Sequence, residues 1–411
     1  MKNAQTAWSR RKFLTTTAIA GGTTLVLNSL GAWAFDDTDP RVAKIVAGTL
    51  GVDTHNHIDV PLTTRDVPGP DINLADAMEK SGLSAICMTF AVDYQKLDTP
   101  GLAYERFLNG LSSMDQQLKN SNMKRSFKVS DLRDAHQKHR PTVIQAVEGA
   151  HFLEGHLDRL QLAYDRGLRL ITLLHDSDAS VPLGDVFTNP VRWGGLTAFG
   201  AEVIRECERL GIVVDLSHAN EATVTAALKV ATRPVLISHT GLNTQLGQNE
   251  RMGKMFLPRL ISKEYARFVA GNGGVIGVWT HLADSALEYA RNIRAMVDVV
   301  GIDHVCIGTD TKLTHSNDRP GGPRPDQGIK PGENKPQGTG DGKRPDRPPG
   351  DGQNQAFRGE GSNKNWPEQK SGFYYTVVEA MLKVGFNADE IGKVGGGNFC
   401  RVFDAATKGH P

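Results

Sequence analysis

Eight short apolar runs of β-forming residues recur along this chain, separated by longer, mostly helical stretches. They are TLGVDTHNH (49–57), SAICMTFAV (84–92), TVIQAVEGA (142–150), LRLITLLHD (168–176), GIVVDLSH (211–218), PVLISHT (234–240), GGVIGVWT (273–280) and DHVCIGTD (303–310). Continuous apolar runs, rather than alternating ones, are what parallel strands need when both faces are buried. Amphipathic helical stretches such as TAFGAEVIRECERL and SKEYARFVAG lie between them. Alternation eight times within 411 residues predicts an α/β fold, a (β/α)8 TIM-type barrel. An open doubly wound sheet is the alternative, weakened because no G-x-G-x-x-G follows an early strand.

Apolar content of 39%, charged content of 23% and a net charge of +1 describe an ordinary globular chain with no global field for nucleic acid or an anionic membrane. Two segments do not belong to a barrel. Residues 1–34 carry the paired Arg10 and Arg11 in SRRKFL, then a weakly apolar Thr/Ala/Gly stretch ending in Ala32-Trp33-Ala34. This pattern resembles a twin-arginine export signal with a small-x-small cleavage site. It predicts a partner in the twin-arginine machinery and a periplasmic or extracellular location, with membrane association if cleavage fails. Residues 315–366 are dominated by Pro, Gly, Asp, Lys and Asn. With little to bury, they are expected to form a flexible low-complexity insert after the eighth strand, read as a tolerated insertion ahead of a lid. The remainder of 35–411 reads as one barrel domain. Cys87, Cys207, Cys306 and Cys400 show no C-x-x-C spacing and are expected to be buried free thiols.

Polar residues cluster at one end of the apolar runs: His55, His57, Glu148, His175, His218, His239 and Asp310. In a (β/α)8 barrel the C-terminal strand ends converge on one mouth, where active sites are built. A single histidine there is more often a hydrogen-bonded structural residue. Seven groups of ligand or acid–base type at the same end point to a site. A buried carboxylate such as Glu148 needs a partner or a metal. The donor set suits Zn2+, with Mn2+, Co2+ and Fe2+ also compatible by ligand type. It is large for one ion; two ions bridged by a carboxylate would use it fully and would support attack of a bridging hydroxide on an amide or ester. No G-x-S-x-G elbow or candidate cysteine nucleophile offers a covalent route. In the first run, His55-x-His57 and His57-x-Asp59 are both possible ligand pairs, since all three side chains point to one face of a strand.

Together VDTHNH, VEGAHFLEG, LRLITLLH, GLTAFGAEVIRECERLGIVVDLSH, PVLISHT, LPRLISKEYARFVAGNGGVIGV, GIDHVCIGTD and GGGNFCRVF resemble the membrane dipeptidase (renal dipeptidase) family of amidohydrolase-like metallopeptidases. The resemblance implies two zinc ions bridged by Glu148, with His218 and His239 completing the second site. It implies that His175 faces the substrate and stabilises the oxyanion, that Arg259 clamps a terminal carboxylate, and that Asp310 moves the proton. Aligned on Asp53, the first site takes His55 and His57, with Asp59 in reserve. Dipeptide hydrolysis is the expected reaction. An N-acyl amino acid, a lactone or another small amide is the alternative substrate, and a non-catalytic metal-binding barrel the alternative class. A homodimer stays open. Asp53 and Asp215 are expected to orient neighbours, His151 to be structural, His304 to lie at the opposite end, and GGGNFCRVF to form a closing helix. The chain departs from the family at three places. The usual His-x-Asp becomes His55-x-His57, the usual Asn and frequent His become Leu260 and Leu257, and SDASVPLGD replaces an asparagine-rich stretch after LLHD.

Overall fold

The parallel pairing closes on itself. The computed structural model describes residues 39–63, 72–94, 96–313 and 366–410. Its strands are β1 (Val52–His57), β2 (Ala85–Thr89), β3 (Thr142–Glu148), β4 (Leu168–Thr172), β5 (Val213–Asp215), β6 (Leu236–Thr240), β7 (Val275–Val278) and β8 (Val305–Ile307). They pair in chain order, and β8 returns to β1 through Asp53 and Ile307. Each strand lies inside one of the eight apolar runs, as a TIM-type barrel requires, and every strand residue is buried.

Inside the barrel, away from the mouth, the side chains are small to medium and apolar. Val52, Ala85, Ile144, Leu170, Val213, Leu236, Val275 and Cys306, one from each strand, meet in a single cluster that Cys87 and Ala146 also join. Phe399 and Phe403 of the helix Asn398–Thr407 join that cluster and stack with ring centroids 5.7 Å apart. Asn398 donates to the carbonyls of Ile302 and Val305, and Arg401 donates to those of Gly273 and Asp303. The GGGNFCRVF stretch thus closes the N-terminal end of the barrel, as expected. His304 bonds the Gly274 carbonyl at that same end. All four cysteines are buried and free.

Trp366 marks one boundary differently from the expectation. It was placed in the low-complexity insert, yet it is buried, donates its indole N–H to the Ala283 carbonyl, and packs against Tyr289 and Phe373. A large apolar ring gains by joining the core. The rest of the expected 315–366 insert, and the expected 1–34 export signal, lie outside the described residues. Among the described residues, no helix is long and apolar enough to cross a membrane.

Candidate active site

Glu148, the last residue of β3, sits at the centre of the barrel mouth. It is fully buried, and neither carboxylate oxygen has a hydrogen-bond partner. Five imidazole Nε2 atoms surround it. Those of His218, His55 and His239 lie 3.0, 3.3 and 3.5 Å from Oε1; those of His175 and His57 lie 3.2 and 3.5 Å from Oε2. Each comes from the C-terminal end of a strand or the loop just after it, which is why residues far apart in sequence meet here.

The other nitrogen of every ring is held from outside. Nδ1 of His175 is 2.5 Å from Asp93, that of His218 is 3.1 Å from Asp176, and that of His57 is 3.2 Å from the Tyr94 hydroxyl. His55 and His239 share the Ser238 hydroxyl, at 3.3 and 2.8 Å. Ser238 donates in turn to Asp215, which also accepts from Thr172 and Ser217. Asp53 accepts from Thr309 and Asn56 and ties β1 to the turn that carries Asp310. Both aspartates orient neighbours, as expected. Fixing Nδ1 fixes which nitrogen points inward, the arrangement metal-binding histidines use.

This donor set fits divalent cations. A buried carboxylate without a hydrogen-bond donor, ringed by nitrogens aimed at it, is a costly arrangement unless positive charge compensates it. Burial alone would raise the Glu148 pKa, but His175 and His55 outweigh it and hold the carboxylate well below its usual range. Reciprocally, burial would lower the His55 and His175 pKa values. Glu148 and Asp310 raise the first to about 9, and Asp93 with Glu148 raises the second to about 10. Three overlapping ligand groups result: His55, His57 and Asp310; His55, Glu148 and His239; and Glu148, His175 and His218. Glu148 belongs to two of them. His175 stands as near the shared carboxylate as the four expected ligands do.

Asp310 lies beside this centre, with Oδ1 3.1 Å from Nε2 of His57. Its other oxygen is 2.7 Å from Nε2 of His281, a residue the sequence reading did not single out. His218 and Asp310 both adopt left-handed backbone conformations, with φ of 65° and 54°. Such strain in non-glycine residues concentrates at functional positions. Asp59 faces elsewhere: its carboxylate is 2.8 Å from the Lys312 ammonium. His57, not Asp59, therefore turns toward Glu148. His151 bonds the Ser177 carbonyl and plays the structural part expected of it.

Arg259 lines a cavity of about 410 Å³ that opens beside His218 and His239. Its carbonyl accepts from Thr240 at the end of β6, which places the guanidinium near the mouth. That guanidinium is paired with Asp176 at 2.8 Å.

The family model described as "Membrane dipeptidase (Peptidase family M19)" matches residues 40–316, more than half of the chain. The chain belongs to the membrane dipeptidase family. Curated relatives include an uncharacterised dipeptidase of Schizosaccharomyces pombe, 33% identical over 174 residues, which are 40% of this chain and 40% of the relative. Dipeptidase verJ of Clonostachys rogersoniana is 28% identical over 187 residues, 44% of this chain and 46% of the relative. The chain thus spans less than half the length of these two curated relatives. Among solved structures, an amidohydrolase from Pseudomonas aeruginosa superposes with a TM-score of 0.64 at 20% identity, covering 89% of this chain and 98% of the other. A Rhodobacter sphaeroides metallopeptidase, solved with a phosphinate mimic of L-Ala-D-Ala, gives 0.56 at 16% identity, covering 87% and 99%. These likenesses extend the family's fold over nearly the whole described chain.

Proposed function

We propose that this member of the membrane dipeptidase family hydrolyses small dipeptides or closely related amides in a metal-dependent reaction. One observation carries the reading: the buried, donorless Glu148 carboxylate faced by five Nε2 atoms whose opposite nitrogens are all tethered. His55, His57, His218 and His239, with Glu148 shared, would hold two divalent ions, and zinc is the ion that this nitrogen and oxygen set suits best. Ions bound there supply Lewis acidity toward a carbonyl and a lowered pKa for bound water.

The chain's own residues do the positioning and the proton transfer. Burial would raise the Asp310 pKa, but His239 and His281 hold it well below the usual carboxylate range, so it stays an acceptor near neutral pH. From that position it takes a proton from the attacking water and returns it to the leaving nitrogen. His175, locked by Asp93 and standing with Nε2 3.2 Å from Glu148 at the mouth, would offer a hydrogen bond to an oxyanion that develops beside it. Arg259, paired with Asp176, would stand beside the carboxyl end of the substrate.

Metal content and turnover of a small dipeptide set test this reading. Wild-type protein is expected to bind two ions per chain and to cleave members of the set. Glu148→Gln should lose bound metal. Asp310→Asn should keep metal but lose about 10²–10⁴-fold in kcat, the range of a positioned acid–base group. A fully metallated wild type inactive on every dipeptide and N-acyl amino acid tried would overturn the proposal.

A further inference from the structure

A carboxylate of the chain already engages the cation that a free substrate carboxylate would need. Nη2 of Arg259 lies 2.8 Å from both carboxylate oxygens of Asp176. Asp176 is anchored from its other side, since Oδ1 is 3.1 Å from Nδ1 of His218. The guanidinium also lies against the Phe187 ring, 5.6 Å from its centroid. An arriving carboxylate would have to share one guanidinium with Asp176. Like charges brought together at a recognition site oppose binding strongly. Beyond Arg259, the cavity is lined by the neutral amides Asn189, Asn220 and Asn243 as well as by Phe187 and Trp279. Among the described residues that line it, Arg259 is the sole lysine or arginine and Glu221 the sole acid. The surroundings thus favour an uncharged, hydrogen-bonding group where a dipeptide's C-terminal carboxylate would otherwise sit.

We infer that Asp176 is a specificity-determining residue that reserves this site for peptide-like amides whose carboxyl end is masked as an amide or ester. The inference rests on the hydrolase reading proposed above. Asp176 follows His175 directly in LLHD, at the point where the chain leaves the family's usual asparagine-rich stretch. Replacing it with asparagine keeps an oxygen to accept from His218 while removing the charge that neutralises Arg259.

The experiment compares one dipeptide as its free acid and as its C-terminal amide, by kcat/KM on metal-loaded full-length protein. Calorimetric binding of a phosphinate dipeptide mimic, in free-acid and carboxamide forms, gives the same comparison without turnover. Wild type is expected to favour the masked form by about tenfold or more, and Asp176→Asn to shift the ratio toward the free acid by a similar factor. A wild type that favours the free acid, or a ratio unchanged in Asp176→Asn, overturns the inference and leaves the hydrolase reading standing. If neither form is cleaved or bound, the hydrolase reading falls and takes the inference with it. The wild-type ratio decides the matter even if the variant loses metal.

Discussion

His281 holds Asp310 in place, and its own ring has little freedom. It stacks on Phe256 with centroids 5.3 Å apart and planes 4° from parallel, and meets Trp279 edge-on at 4.8 Å. A fixed imidazole fixes the carboxylate it bonds, even though Asp310 sits on a strained left-handed backbone. His281→Ala should therefore lower kcat about 10–100-fold, the usual effect of losing such a supporting partner, with metal content and KM nearly unchanged. His281→Gln, which can still donate to the carboxylate, should recover part of that loss. Equal kcat in wild type and His281→Ala would show that Asp310 needs no support. The sequence carried a weak sign of this residue: His281 lies one position past the seventh apolar run. Asp93 likewise lies one past the second run. Strand-end logic reaches both only when extended into the following loop.

At the scale of elements, the segment between β4 and the helix Ala198–Leu210 is organised by one acid. Asp185 is buried and accepts backbone N–H groups from Arg192, Trp193 and Gly195 at 2.7, 3.1 and 2.7 Å. This shapes the loop that brings Phe187, Asn189 and Val191 to the cavity. Polar, Pro- and Gly-containing loops of this kind show no hydrophobic period, so their path is not legible in sequence. Asp185→Ala leaves three donors without their acceptor and should destabilise the fold by about 1–3 kcal/mol, measurable by urea unfolding at pH 7. The pH dependence has a definite sign. Burial opposes ionisation, but the backbone donors win and depress the folded pKa. The contribution is thus fully present above the ordinary carboxylate value of about 3.9 and fades as pH falls through the folded value. The gap between wild type and Asp185→Ala should narrow in acid; a gap that widens there would contradict the assignment.

For the whole molecule, closure of the barrel leaves no room inside β7 and just past β8. A Cβ built on Gly308 would meet the Ser238 carbonyl oxygen at 1.7 Å, and one on Gly277 would meet it at 1.8 Å. Thr54 donates to that same oxygen, so it cannot move without breaking a buried bond. Gly308→Ala should destabilise the protein by about 3 kcal/mol or more, the upper range of overpacking, or prevent folding. A melting temperature unchanged by that substitution would show that the barrel wall can yield.

The sequence by itself determined the barrel and brought seven site residues to one end of it. Both follow from patterns local to the chain: runs of apolar residues that only buried parallel strands can use, and polar residues where those runs end. It also placed the closing helix. Only the tertiary structure decided how the seven meet. Strand tilt and stagger bring five Nε2 atoms onto Glu148. Loop paths put Asp176 on Arg259, 83 residues away, and His281 on Asp310, 29 residues away. Asp59 turns to Lys312, 253 residues along the chain, while His57 turns to Glu148. Such pairings depend on where the closed sheet carries each loop, and no periodicity along the chain encodes that.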